Sequence, residues 1–153
     1  MADAHLAQLN VARPRAPMDD PQMAEFKAAL DQVNRLAEEA PGFVWRLTDD
    51  FGADATTIRI GGGEIMVNLS VWESRDALWN FAYRSPHMDY LRRRQEWFHR
   101  MAEPYQVLWW VPAGHRPTVA EAEDRLEAVR SQGPGPGAFT FRQPYPAEVL
   151  MTG

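Results

Sequence analysis

The chain has 153 residues, of which 45% are hydrophobic and 24% charged, and a formal net charge of -5; this is the composition of one soluble globular domain. The acidic balance, with a pI near 5.3, argues against nucleic acid as the main partner. Cysteine is absent, which excludes disulfides, thiolate metal sites and a cysteine nucleophile.

The longest apolar run, Val107–Val111, falls far short of the roughly 20 residues that a membrane helix needs. Residues 1–10 carry no apolar signal core, so the expectation is a cytoplasmic protein without membrane contact. Six tryptophans favour a large aromatic core or an aromatic-lined pocket. One domain is expected over residues 1–153, with a core at about 5–112 and a C-terminal helix and tail at 118–146.

In chain order, His5–Val11 alternates as a strand, and Arg13–Pro17 breaks it. Asp20 followed by Pro21 starts a helix whose stripe is Met23, Phe26, Leu30, Val33 and Ala37. Pro41-Gly42 stops it. Phe43–Thr48 reads as a strand. Residues 49–63 read as a loop or ragged strand in which Thr56–Ile60 can pair and Gly61-Gly62-Gly63 interrupts. Glu64–Trp72 is the clearest strand: Ile65, Val67, Leu69 and Val71 on one face, Met66, Asn68, Ser70 and Trp72 on the other.

Ser74 caps the next helix, through Leu78, Phe81 and Tyr83. Ser85-Pro86 starts another, running from His87 to about Met101. Tyr105–Val111 is an aromatic-rich strand, and Pro112–Pro117 a turn in which His115 serves packing or capping. Thr118 and Glu121 form a capping box for a last helix through Leu126 and Val129. After a Gly-Pro linker, Ala138–Tyr145 reads as an extended edge segment. The order is β-α-β-β-α-β, an α+β, ferredoxin-like antiparallel sheet with an extra C-terminal helix and tail.

Spacing offers no metal cluster, nucleophile elbow or phosphate loop. Asp49-Asp50 falls in a loop. The run Arg92-Arg93-Arg94 points three ways on a helix and reads as solvated, as does His99. What remains is polar groups on apolar elements: Asn10, Arg46, Asn68, Ser70, His87 and Arg94. Aromatic side chains Trp45, Trp72, Tyr83, Trp97 and Trp110 are placed near them. An aromatic wall with a few polar groups is what a small-molecule pocket needs. Asn68 and Arg94 are expected at one cavity, Arg94 as anchor for an anionic or carbonyl group. The competing expectation is a structural network in which Glu73 or Asp89 saturates Arg94.

Several strings resemble one family. They are Asn68–Ser74, Phe81–His87, Arg94-x-Glu96-Trp97-Phe98 and Leu108–His115, with Leu9-Asn10-Val11 and Gly42–Arg46 fitting too. Together they resemble the domain of unknown function 3291 family over residues 5–146. The resemblance implies the dimeric α/β-barrel superfamily, which includes antibiotic-biosynthesis-type and haem-degrading monooxygenases.

Strand, Trp72-Glu73-Ser74, then helix is similar to the haem-degrading branch. Asn10 matches that branch's first-strand asparagine. Its tryptophan falls by spacing on Phe81 and its histidine on Leu91, so the haem ligand is missing there and His87, one turn earlier, is the substitute.

The reading is therefore a small-molecule-binding homodimer, paired sheet to sheet, with a tail able to cross to the partner. It acts as a cofactor-independent, monooxygenase-like enzyme on an aromatic or polycyclic substrate. The alternatives are a haem-binding or haem-degrading protein and a non-catalytic ligand-binding or structural dimer.

Overall fold

A computed structural model describes residues 4–16, 20–47, 59–60, 65–85, 87–100 and 102–147. The elements are β1 (Ala4–Ala12), a 3-10 turn (Pro21–Met23) leading into α1 (Ala24–Glu39), β2 (Phe43–Arg46), β3 (Arg59–Ile60) and β4 (Ile65–Trp72). They continue with α2 (Arg75–Arg84), α3 (His87–Arg92), α4 (Arg94–Trp97), β5 (Gln106–Pro112) and α5 (Val119–Gln132). The sheet order is β2-β4-β1-β5, with the short β3 also on β4. All pairings are antiparallel. This is the α+β, ferredoxin-like arrangement that the order of elements implies.

Local chemistry explains the helix starts. Asp20 Oδ1 accepts the Gln22 N–H at 2.8 Å. Ser74 Oγ accepts from Ala77 at 3.1 Å, Ser85 Oγ from His87 at 3.1 Å, and Thr118 Oγ1 from Glu121 at 3.1 Å. Each satisfies a backbone donor that the first turn leaves unpaired.

One expected helix is corrected. The segment from His87 does not run on to Met101: α3 stops at Arg92, Arg93 leaves helical geometry at φ -98 ψ 4, and α4 ends at Trp97. Beyond it the backbone pairs with the N-terminal segment. The Arg15 N–H reaches the Trp97 carbonyl at 2.8 Å, and the His99 N–H the Arg13 carbonyl at 2.9 Å. Those long-range bonds outweigh the helical periodicity of the sequence. Pro86, Met101 and 49–58 and 61–63 of the Asp49–Gly63 segment lie outside the described residues.

The two sheet faces differ. Ala7, Leu9 and Val11 of β1, Val67, Leu69 and Val71 of β4, and Val107, Trp109 and Val111 of β5 form one buried apolar cluster. Ala122, Leu126 and Val129 of α5 belong to it, so this chain's own helix covers the face on which the sequence suggests a second copy. Fully burying Leu126 or Val129 contributes about 1.5–3 kcal/mol. Polar bonds fix α5 further. The Trp109 indole N–H donates to Glu121 Oε2 at 2.9 Å, and His115 Nε2 lies 2.7 Å from Glu121 Oε1.

Phe139 and Leu108 exchange both backbone hydrogen bonds, each 2.8 Å. The tail thus pairs with this chain's own β5 at Leu108, on the edge that β5 would otherwise expose there.

Gly42 is set by geometry twice over. Its φ is +85°, and a Cβ there would collide with the Ala77 Cβ in the first turn of α2. Gly42→Ala should therefore destabilise the fold by about 1–3 kcal/mol, from left-handed strain and overpacking. Urea denaturation checks this; an unchanged midpoint contradicts the close β2–α2 approach.

Candidate active site

The helix-side face of the sheet follows from register. Phe43, Trp72, Leu6 and Trp110 stand opposite one another in one row. The next row is Arg46, Ser70, Gln8 and Leu108, and the next Asn68, Asn10 and Gln106. Two polar rows therefore sit between an aromatic row and the apolar pair Met66 and Ala12. Above them α1 and the α2–α4 segment leave a cavity of about 430 Å³. That volume suits a small organic ligand. Asn68 belongs to a strand with neighbours on both sides, yet it is exposed, and it lines the cavity.

Among the residues singled out from the sequence, Asn10, Asn68, Trp72, Tyr83, His87, Arg94 and Trp97 line this cavity. Trp45 and Trp110 do not. The strand β2 shifts register between Phe43 and Trp45, so Phe43 faces Trp72 while Trp45 stands beside Val71. The Trp45 ring accordingly packs on the α5-side core. Trp110 shares a row with Leu6, but the tail fills the space above it: its indole N–H donates to the Tyr145 carbonyl at 2.8 Å.

The floor is a chain of hydrogen bonds. Gln8 Nε2 donates to Asn68 Oδ1 at 2.7 Å and to Ser70 Oγ at 2.9 Å. The Trp72 indole N–H donates to the same Ser70 Oγ at 2.9 Å. Gln8 and Ser70 are buried, 4% and 7% exposed, the two buried polar residues among the described ones. Trp72 stacks on Phe81 at 5.1 Å, which builds the aromatic wall with Phe26 and Trp97.

His87 stands in the wall. Its Nδ1 lies 3.1 Å from the Ala82 carbonyl. A carbonyl only accepts, so Nδ1 carries the proton and Nε2 keeps its lone pair. Burial lowers the His87 pKa from its ordinary 6.5, and the bond to Ala82 only partly offsets that. The ring is thus a neutral acceptor near pH 7.

Arg94 lies over the Tyr105 ring, its guanidinium carbon 4.4 Å from the centroid. Neither Glu73 nor Asp89 saturates it: Asp89 pairs with Arg92 at 3.6 Å, and among the described residues Arg94 has no ion pair. Burial and then Tyr105 raise the Tyr83 pKa above 10.0, against a lowering by Arg94, so Tyr83 stays a neutral phenol at the rim. Arg46, Arg92 and Arg94 line the cavity and no described carboxylate does.

The basic run splits across the break between α3 and α4: Arg93 pairs with Glu25 and Glu96, Arg92 pairs with Asp89, and Arg94 lies over Tyr105. Among the described residues no cluster of metal-ligating side chains occurs.

Gln8 was not singled out by sequence reasoning. The available signal was its position between Leu6 and Asn10 on the face of β1 that pairs with Ser70.

Fold and cavity define the class: a ferredoxin-like α+β protein with a ligand-sized pocket between sheet and helices. The chain belongs to the family described as domain of unknown function (DUF3291), matched over residues 5–152. No curated protein matches the sequence. Among solved structures it is similar to SnoaB, a cofactor-independent oxygenase from Streptomyces nogalater, at 14% identity and a TM-score of 0.46, over 76% of this chain and 98% of that one. Rv0793 from Mycobacterium tuberculosis matches at 16% and 0.45, over 75% and 98%. MupZ from Pseudomonas fluorescens matches at 13% and 0.42, over 95% and 91%.

The lowered His87 pKa links stability to pH. The folded protein binds that proton more weakly than the unfolded chain does. Stability is therefore full above the unfolded value of 6.5 and is lost as pH falls towards the folded value. The expected result is that His87→Gln flattens the decline of Tm below pH 6.5. An unchanged decline would show that His87 is not buried in its neutral form.

Proposed function

We propose that the protein binds an aromatic or polycyclic small molecule in this cavity and acts on it as a cofactor-independent, monooxygenase-like enzyme. One observation carries the proposal: an aromatic-walled cavity with amide and hydroxyl groups on its floor, no described carboxylate in its lining, and at its side Arg94, which has no ion pair among the described residues. Such a lining favours the anion of an electron-rich ketone or phenol over its neutral form. His87 Nε2 is the proton acceptor, since Nδ1 is committed to Ala82.

The deprotonated substrate supplies electrons to dioxygen. One oxygen atom replaces two hydrogens at a CH2 carbon as C=O, and the other leaves as water with those hydrogens. Oxygen consumption with a panel of hydroxylated tricyclic ketones tests this. His87→Ala should lower turnover about 10²–10⁴-fold, the usual range for a general base. Binding without oxygen uptake by any member removes the enzyme reading and leaves a ligand-binding protein.

A second reading, haem held through His87, has one observation in its favour: Nε2 is the nitrogen left available at the cavity wall. A Soret band on haem titration that is lost in His87→Ala is the expected sign; no band removes this reading.

We also propose a homodimer. It has to use a surface that α5 leaves open, because the apolar sheet face is already covered. Light scattering should give about twice 17.4 kDa, and a clean monomer at micromolar concentration removes the proposal.

A further inference from the structure

We propose that Ser70 gives its hydroxyl proton, and Asn68 its amide N–H, to one carbonyl or anionic oxygen of the ligand, and that Gln8 is the residue positioning both. The inference rests on the reading of the cavity as a site for an aromatic ligand.

An indole nitrogen and an amide nitrogen only donate. Ser70 Oγ receives both the Trp72 N–H and a Gln8 N–H, each at 2.9 Å. A hydroxyl oxygen has two lone pairs, and both are now used. The hydroxyl proton is left over, and it has no acceptor among the described residues. Ser70 lines the cavity, so a ligand oxygen there can take that proton.

The second Gln8 N–H goes to Asn68 Oδ1 at 2.7 Å. One lone pair of the Asn68 carbonyl is taken by Gln8, so the groups that Asn68 holds wholly free for a ligand are its two amide N–H donors, and Asn68 is exposed on the cavity floor. Gln8 itself is 4% exposed. It orients two donors at once, on residues two apart along the same face of β4.

Trp72 takes a different role from the one its chemistry first suggests. Its N–H is committed to Ser70. Its ring is buried against Phe43 and Phe81 and backs the cavity wall, so it is not a free hydrogen-bond donor. Arg46 stands directly across from Ser70 in the sheet, with its guanidinium held by Glu38 at 3.2 Å.

The full-length protein and alizarin test this. Alizarin is a tricyclic quinone whose phenol ionisation is visible as a colour change. Wild type should bind it and lower the pH at which the bound phenol ionises. Ser70→Ala should weaken binding about tenfold, the upper range for one hydrogen bond, and move the ionisation back towards that of free dye. Ser70→Thr should restore both.

Gln8→Leu should reproduce the Ser70→Ala effect without touching the dye. Where Gln8→Leu does not fold, Ser70→Ala, which removes one oxygen, carries the test with its threonine rescue.

A ligand-free measurement separates the two layers. The Trp72 indole N–H signal in proton–nitrogen NMR spectra, assigned by its absence in Trp72→Phe, should shift in Gln8→Leu and in Ser70→Ala. Unmoved signals overturn the relay whatever the dye does. A shifted signal with equal dye binding by wild type and Ser70→Ala overturns the donor role of Ser70. An intact relay in a wild type that binds no dye overturns the aromatic-ligand reading, and the proposed ligand contact with it.

Discussion

Three buried polar groups hold one another on the helix side of the sheet, and the rest of that side depends on them. Gln8, Ser70 and the Trp72 indole would each be costly if left unpaired in an apolar interior, about 1–3 kcal/mol apiece. Their mutual hydrogen bonds remove that cost only in one strand register. A slip of β1 against β4 by one residue would turn Gln8 or Ser70 towards the apolar face beneath α5. The relay is therefore both a register lock and the floor of the cavity.

The sheet divides its labour between its faces. On one, Val67, Leu69, Val71 and Trp109 belong to one buried cluster with Ala122, Leu126 and Val129 of α5, which packs on β5 and β1, and Glu121 ties that helix down. Burial would push the Glu121 carboxyl up, but hydrogen bonds from His115 and Trp109 hold it below the usual range. It thus stays charged while accepting an indole proton from a fully buried ring. On the other face the helices stop short of closing, and the polar rows open to the cavity.

Electrostatics divide in the same way. The chain carries a net charge of -5, yet the described cavity wall has arginines and no carboxylate. The acids near that region lie outside it: Glu38 pairs with Arg46, and Glu25 and Glu96 hold Arg93, which ties α1 to the α3–α4 corner. Ion pairs on exposed side chains contribute little to stability. Here they orient the arginines and the helices that frame the opening.

Strand alternation, helix caps and element order needed only local information, and the sequence by itself determined them. Asp20, Ser74, Ser85 and Thr118 cap the turns beside them, and Met66, Asn68, Ser70 and Trp72 share a face because side chains alternate along a strand. The ferredoxin-like order and most of the cavity wall followed from that. The tertiary structure decided whatever depended on distant backbone. The register shift in β2 sent Trp45 to the far face. Pairing with Arg13 and Arg15 ended the helix at Trp97. The tail settled on β5, and α5 covered the face that composition left without a cover. Gln8 was hidden for the same reason: its partner Ser70 is 62 residues away, and no local period reveals which hydrogen bond a buried amide will make.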